Sequence, residues 1–378
     1  MTKEEYENSM MAIARLCGCV VRGEVPDPAW CAGLNLENLY LAAKKHLLLA
    51  ITAEALERAG IHNDAFHKAK ASAVRKNILF DAERAKILSA LEEQGIWYMP
   101  LKGAVLKEFY PGIGLRQMAD NDILYDVSRC EDVKNIMEGM GYQTILYGEG
   151  AVHDSYHKKP VFNFEMHRQL FGPVHGEPLY SYYHTVKERL IKDEGNHFGW
   201  HFSPEDFYLY VIAHEFKHYE NFGTGLRSPL DAYVYLRKVS LDWEYVEKEA
   251  QKLGLADFEK QNRMLAMHLF DGETLTQEDG EMLSYVLSSG TYGNIEIGVK
   301  NGIRKNGGSA LRYAMKRFFV PVSKKDLRYS GYARAYPLFY QHKILLPLLP
   351  FYRTIRSIRR GGFFAEAKAI SRTHSGKT

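Results

Sequence analysis

At 378 residues, 46% of them hydrophobic and 25% charged, the chain has apolar material for two or three folded domains and is not a disordered protein. It has no run of about 18 apolar residues, so no transmembrane helix is expected, and its acidic, polar N-terminus MTKEEYENSM excludes a secretory signal and points to the cytoplasm. The net charge of +3 is unevenly spread: residues 311–378 hold fifteen Lys and Arg against only Asp326 and Glu366, a net +13, which leaves −10 for the rest.

The first region, 1–92, is patterned as helices. Leu34–Ala50 and Asp81–Gln94 carry apolar residues at helical spacing, and the second stops at Gly95, a C-terminal signal. Cys17, Cys19 and Cys31 here, with Cys130 further on, fit neither a paired zinc spacing nor a disulfide framework and read as packed thiols. The pattern changes over 93–180. Ile96–Leu101 reads as a short buried strand, Ala104–Tyr110 as a helix ended by Pro111-Gly112, Asp120–Val127 as a strand and Ser128–Met140 as a helix. Tyr142–Tyr147 and Val161–His167 are further strands by their alternation. Helical periodicity returns over 181–310, most clearly from Pro204 to about Val286, and 311–378 forms a basic C-terminal extension. Within it, the apolar run Ile344–Tyr352 is too short to cross a bilayer; beside the basic segment Arg353–Arg360 it suits packing on the body or lying on a membrane surface. The fold class expected is α+β: a small mixed-sheet core flanked by helical regions.

Asp120 and Asp122 carry the most chemistry. Alternate residues of a strand point to one side, so this pair projects two carboxylates together, a costly arrangement unless a cation joins them. Hard divalent ions take carboxylate oxygens, and a pair of such ions serves phosphoryl transfer. Lys102-Gly103 sits at a strand-to-helix turn, Arg116 adds charge beyond that helix, and Glu165 alternates with Asn163 and His167 on a later strand as a third acid.

The stretches LKGAVLKEFY (Leu101–Tyr110) and LRQMADNDIL (Leu115–Leu124) resemble the signature of an uncharacterised bacterial nucleotidyltransferase family within the DNA-polymerase-β-like superfamily. FEMHRQL (Phe164–Leu170) is similar to that family's third-carboxylate strand, and AHEFKHY (Ala213–Tyr219) with LRSPLDAY (Leu226–Tyr233) to its helical segment bearing paired His, Arg and Asp. The resemblance implies transfer of a nucleoside monophosphate from an NTP to a small-molecule, RNA or protein acceptor, with Mg²⁺ or Mn²⁺ held by Asp120, Asp122 and Glu165. It further implies that Gly103 lines the triphosphate while Lys102 and Arg116 neutralise its charge.

Two rival readings remain open at this stage. His214-Glu215-Phe216-Lys217-His218 spells HExxH, the helix motif of zinc peptidases, although the extended motif's glycine and third histidine are Asn221 and Thr224 here. The resemblance instead places His214, His218, Arg227 and Asp231 near substrate or in the core. The basic tail on an acidic body also fits a non-catalytic module binding RNA or another anionic partner.

Overall fold

Capping chemistry sets where the helices begin. In a computed structural model, which describes residues 1–148 and 150–374, the first helix Lys3–Arg22 opens on a Thr2/Glu5 capping box and closes at Gly23 in the left-handed region. The Leu34–Ala50 pattern becomes two helices, Leu36–Lys45 and Leu49–Arg58, broken at Leu47, whose φ is 56°. The break has a tertiary cause. Buried His46 accepts the Leu226 backbone N–H at 2.9 Å and pairs with the Tyr6 hydroxyl at 2.6 Å, bonds that a continuous helix would forfeit. The Asp81–Gln94 pattern is the second half of a single 30-residue helix, Asp64–Glu93, started by Asn63, whose side chain accepts two backbone N–H groups.

The central sheet has five strands: β1 (Tyr98–Pro100), β2 (Asn121–Tyr125), β3 (Gln143–Leu146), β4 (His153–Lys158) and β5 (Phe162–His167), in the order β1-β2-β5-β4-β3. Only β2 and β5 run parallel. β4 is the strand the sequence pattern does not announce. Its inward residues are Asp154 and Tyr156, and buried Asp154 accepts from Arg168 at 2.8 Å and from Tyr125 at 3.0 Å. A polar residue at an inward position masks the alternation.

The two faces of the sheet have different tasks. One buries Tyr98, Ile123, Tyr125, Tyr156, Phe164 and Met166 against Ile87 and Leu91 of the long helix and against Val133 and Met137 of the helix Cys130–Gly139. The other presents Met99, Leu124, Asp122, Glu165 and His167 toward the helical body. One large apolar core joins the N-terminal helices to that body, whose helices include Pro204–Tyr219, Arg227–Leu236 and Ala256–Asp271. The architecture is α+β, a mixed-sheet core flanked by helices on both sides in the chain. The basic extension is helical too, with one small apolar cluster around Tyr340 and another around Tyr313 that it shares with Val299 and Ile303; residues 375–378 lie outside the described residues. No helix among the described residues is long and apolar enough to cross a membrane.

Candidate active site

The turn after β1 starts the site. Lys102 has φ 42°, in the left-handed region where a side chain is strained. The conformation brings its Nζ to 2.7 Å from Asp122 Oδ1, and that ion pair helps offset the strain. Next to it, a Cβ on Gly103 would stand 2.6 Å from Arg116 Nη1 and 3.0 Å from Met118 Cε, so the position needs glycine for packing. The helix Gly103–Leu106 is a single turn.

Asp122, on β2, is 3% exposed. Lys102 Nζ and His167 Nε2, the latter at 2.8 Å, share its Oδ1. Burial alone would raise its pKa, but Lys102 and His167 outweigh burial and hold the carboxyl well below the usual range. At Asp120, half-buried just before β2, the balance goes the other way, and Lys102 and Arg227 do not offset the raising effects. Burial, then the negative charge of Asp122, pushes its carboxyl up to about 6. Glu165 stands opposite Asp122 in the parallel β2–β5 register. Burial would raise Glu165, but His167 prevails and its pKa is lowered. His153, from β4, brings Nδ1 to 3.5 Å from Glu165 Oε2. Ligand atoms of His153, Glu165 and His167 all lie within 4.8 Å of one another, a spacing one cation can bridge.

Opposite this acid wall runs the helix Pro204–Tyr219. Its residues Tyr210, His214, Lys217 and His218 fall on one face, at i, i+4, i+7 and i+8. Tyr210 and Lys217 both feel the charges of Asp122 and Glu165. Burial and then Lys102 lower the Lys217 ammonium to about 8. His214 and His218, whose Nε2 atoms are 3.2 Å apart, are held neutral by burial, then Lys217 and Lys102. Two more cations flank Asp120 and feel its charge: Lys76, which donates to the Ala119 carbonyl at 3.2 Å, and Arg227, which donates to the Gln117 carbonyl at 3.2 Å. Acids interleaved with cations, Lys102, Lys76 and Arg227 beside the carboxylates and Lys217 on the facing helix, suit a polyphosphate bound through metal ions.

Sequence reasoning brought Asp120, Asp122, Glu165 and Lys102 to the cleft, and the structure gathers all four. It directs Arg116 elsewhere. The guanidinium is 7% exposed and bound bidentately to Asp231, Nε to Oδ1 at 2.8 Å and Nη2 to Oδ2 at 2.7 Å, with the Tyr110 hydroxyl donating to the same carboxylate. Arg116 therefore ties the core to the helix Arg227–Leu236. Lys217 went unmarked although it stands inside the HExxH stretch; His153 was hidden with β4, and nothing in the sequence marks Lys76.

The HExxH reading finds no support in the geometry. Glu215 is buried and hydrogen-bonded by Asn262 Nδ2 at 3.3 Å, and burial raises its pKa well above the usual carboxylate range. Among the described residues, no third His, Cys, Asp or Glu joins His214 and His218 in a metal-binding group.

The sequence profile of a family described as uncharacterised nucleotidyltransferase matches residues 33–271. The chain belongs to that family. No curated protein and no solved structure matches it. The matched part of this nucleotidyltransferase takes in the whole cleft, from Lys76 to Arg227, and ends before the basic extension.

Proposed function

We propose that this nucleotidyltransferase moves a nucleoside monophosphate from an NTP to an acceptor hydroxyl or phosphate, and that Asp120, Asp122 and Glu165 hold the divalent ions it uses. Register carries this reading: Asp122 and Glu165 are direct neighbours across parallel strands, and Asp120 is two residues from Asp122. The donor set fits hard divalent ions such as Mg²⁺, and the imidazoles of His153 and His167 beside Glu165 extend the fit toward Mn²⁺. When bound, such ions polarise the phosphoryl group and stabilise charge on the attacking and leaving oxygens.

The chain's own side chains do the rest. Lys217, Arg227 and Lys76 bind the polyphosphate and orient the α-phosphate for in-line attack. Lys102 and His167 fix the Asp122 carboxylate through one oxygen and leave Oδ2 free of those two bonds. Glu165 completes one ion site and helps activate the acceptor, as the family resemblance implies. In this reading the catalytic core is 93–180, and 181–310 supplies the cationic wall that closes the cleft, with 1–92 as the supporting helical region.

Thermal unfolding with each of the four common NTPs, with and without Mg²⁺, tests the proposal. At a hundredfold excess over Kd, a ligand of the folded state adds about 2.7 kcal/mol. A Mg²⁺-dependent stabilisation by at least one NTP is expected, and its loss in Asp120→Ala and Asp122→Ala. A wild-type protein that responds to no NTP would refute the reading.

A further inference from the structure

The family match stops at residue 271, yet the extension beyond 310 is built to a pattern of its own. Ile344, Leu348, Phe351, Ile355 and Ile358 recur at steps of four, three, four and three residues through the helical segments Lys343–Leu348 and Leu349–Arg359. Within the α-helix Leu349–Arg359, Phe351, Ile355 and Ile358 make one apolar stripe, which a folded protein ordinarily turns inward, and Ile344 and Leu348 in the 3₁₀ segment before it add apolar surface. Here the stripe faces solvent: the five residues are 87, 57, 59, 53 and 40% exposed, while Leu346, Leu349 and Pro350 take the inward side. Phe364, at the start of the next helix Gly362–His374, is also 63% exposed. Contiguous exposed apolar surface of this kind marks an interaction site.

Charge identifies the occupant. Of the segment's arginines, Arg353 and Arg356 lie over the Tyr332 and Tyr336 rings, and Arg317 in the groove beneath is paired with Glu366. Arg359 and Arg360 are exposed and in no ion pair among the described residues. A second copy paired symmetrically through this face would set two extensions of net +13 against each other. A nucleic acid would satisfy the arginines and stack on Phe351, but would leave Ile344, Leu348, Ile355 and Ile358 in water. An anionic bilayer surface satisfies both features, with aliphatic side chains among the acyl chains and guanidinium groups at the phosphates. We propose that the segment 343–364 docks this protein in the plane of an anionic phospholipid membrane. The inference does not depend on the nucleotide chemistry assigned to the cleft.

Flotation of the full-length protein with vesicles tests this, comparing phosphatidylcholine alone with phosphatidylcholine and phosphatidylglycerol in equal parts. Binding is expected to the anionic vesicles and to weaken with salt. Phe351→Ser/Ile355→Ser should weaken it at least a hundredfold, and Arg359→Gln/Arg360→Gln about thirtyfold. These side chains are exposed, so unchanged unfolding midpoints keep the comparison free of misfolding. Equal binding to both vesicle types, or wild-type binding by the Phe351/Ile355 variant, would overturn the proposal. So would RNA binding without flotation, or a dimer in solution that the same variant dissociates.

Discussion

Replacing Asp231 with Ala leaves the Arg116 guanidinium charged and enclosed, because an arginine does not shed its proton and this one is only 7% exposed. Asp231 accepts three hydrogen bonds, two from Arg116 and one from Tyr110, all between 2.7 and 2.8 Å. Removing one partner of a buried pair costs about 3–5 kcal/mol, and the stranded Tyr110 hydroxyl adds about 1 kcal/mol. Urea unfolding should therefore show Asp231→Ala destabilised by about 4 kcal/mol or more. The double variant Arg116→Met/Asp231→Leu should be the more stable of the two despite carrying more changes, since it strands no charge. Arg116→Lys keeps the charge but loses the bidentate fork; it should cost stability while leaving the Mg²⁺–NTP affinity of the folded protein unchanged. An Asp231→Ala loss below about 1 kcal/mol would refute the reasoning. So would an Arg116→Lys protein of full stability with tenfold weaker nucleotide binding, because Arg116 would then meet phosphate after all.

Other outcomes follow from the cleft. With Lys217 lowered to about 8, its ammonium is present below that pH and lost above it, so NTP affinity should fall by about tenfold as pH rises through 8. Titration calorimetry should find this step absent in Lys217→Arg; a step that persists would assign it to another group. Asp120 is raised to about 6, so in metal-free protein its ionisation opposes folding, and stability tied to this group is present at pH 4 and lost as pH rises through 6. Asp120→Asn should accordingly stabilise metal-free protein at pH 7 by up to about 3 kcal/mol while abolishing nucleotidyl transfer. Denaturant melts in chelator settle this, and a destabilised variant contradicts the electrostatic account. Elemental analysis should find the same zinc content in wild type and His214→Ala; one zinc per chain that disappears with His214 would revive the peptidase reading.

The acids were legible because strand alternation is local: Asp120 and Asp122 needed only a strand between them. Glu165 needed register as well, which the β2–β5 pairing supplies through contacts 43 residues apart in sequence. The α+β class was legible from the change in hydrophobic period near residue 93. What stayed hidden rests on long-range partners. The Leu34–Ala50 helix breaks because His46 bonds to residues far along the chain, and β4 escapes notice because Asp154 is buried by Arg168 and Tyr125. The fate of Arg116 was unreadable for the same reason, since its carboxylate lies 115 residues away.

Lys102 has a consequence for how the protein comes to exist in a cell. With its ammonium and the His167 imidazole on one oxygen of Asp122, the most deeply buried acid of the cleft is already neutralised from within the chain. Metal centres whose ligands are otherwise unpaired commonly fold only as the ion arrives. This chain carries its own resident cation against that acid, so its fold can be completed on synthesis without waiting for an ion.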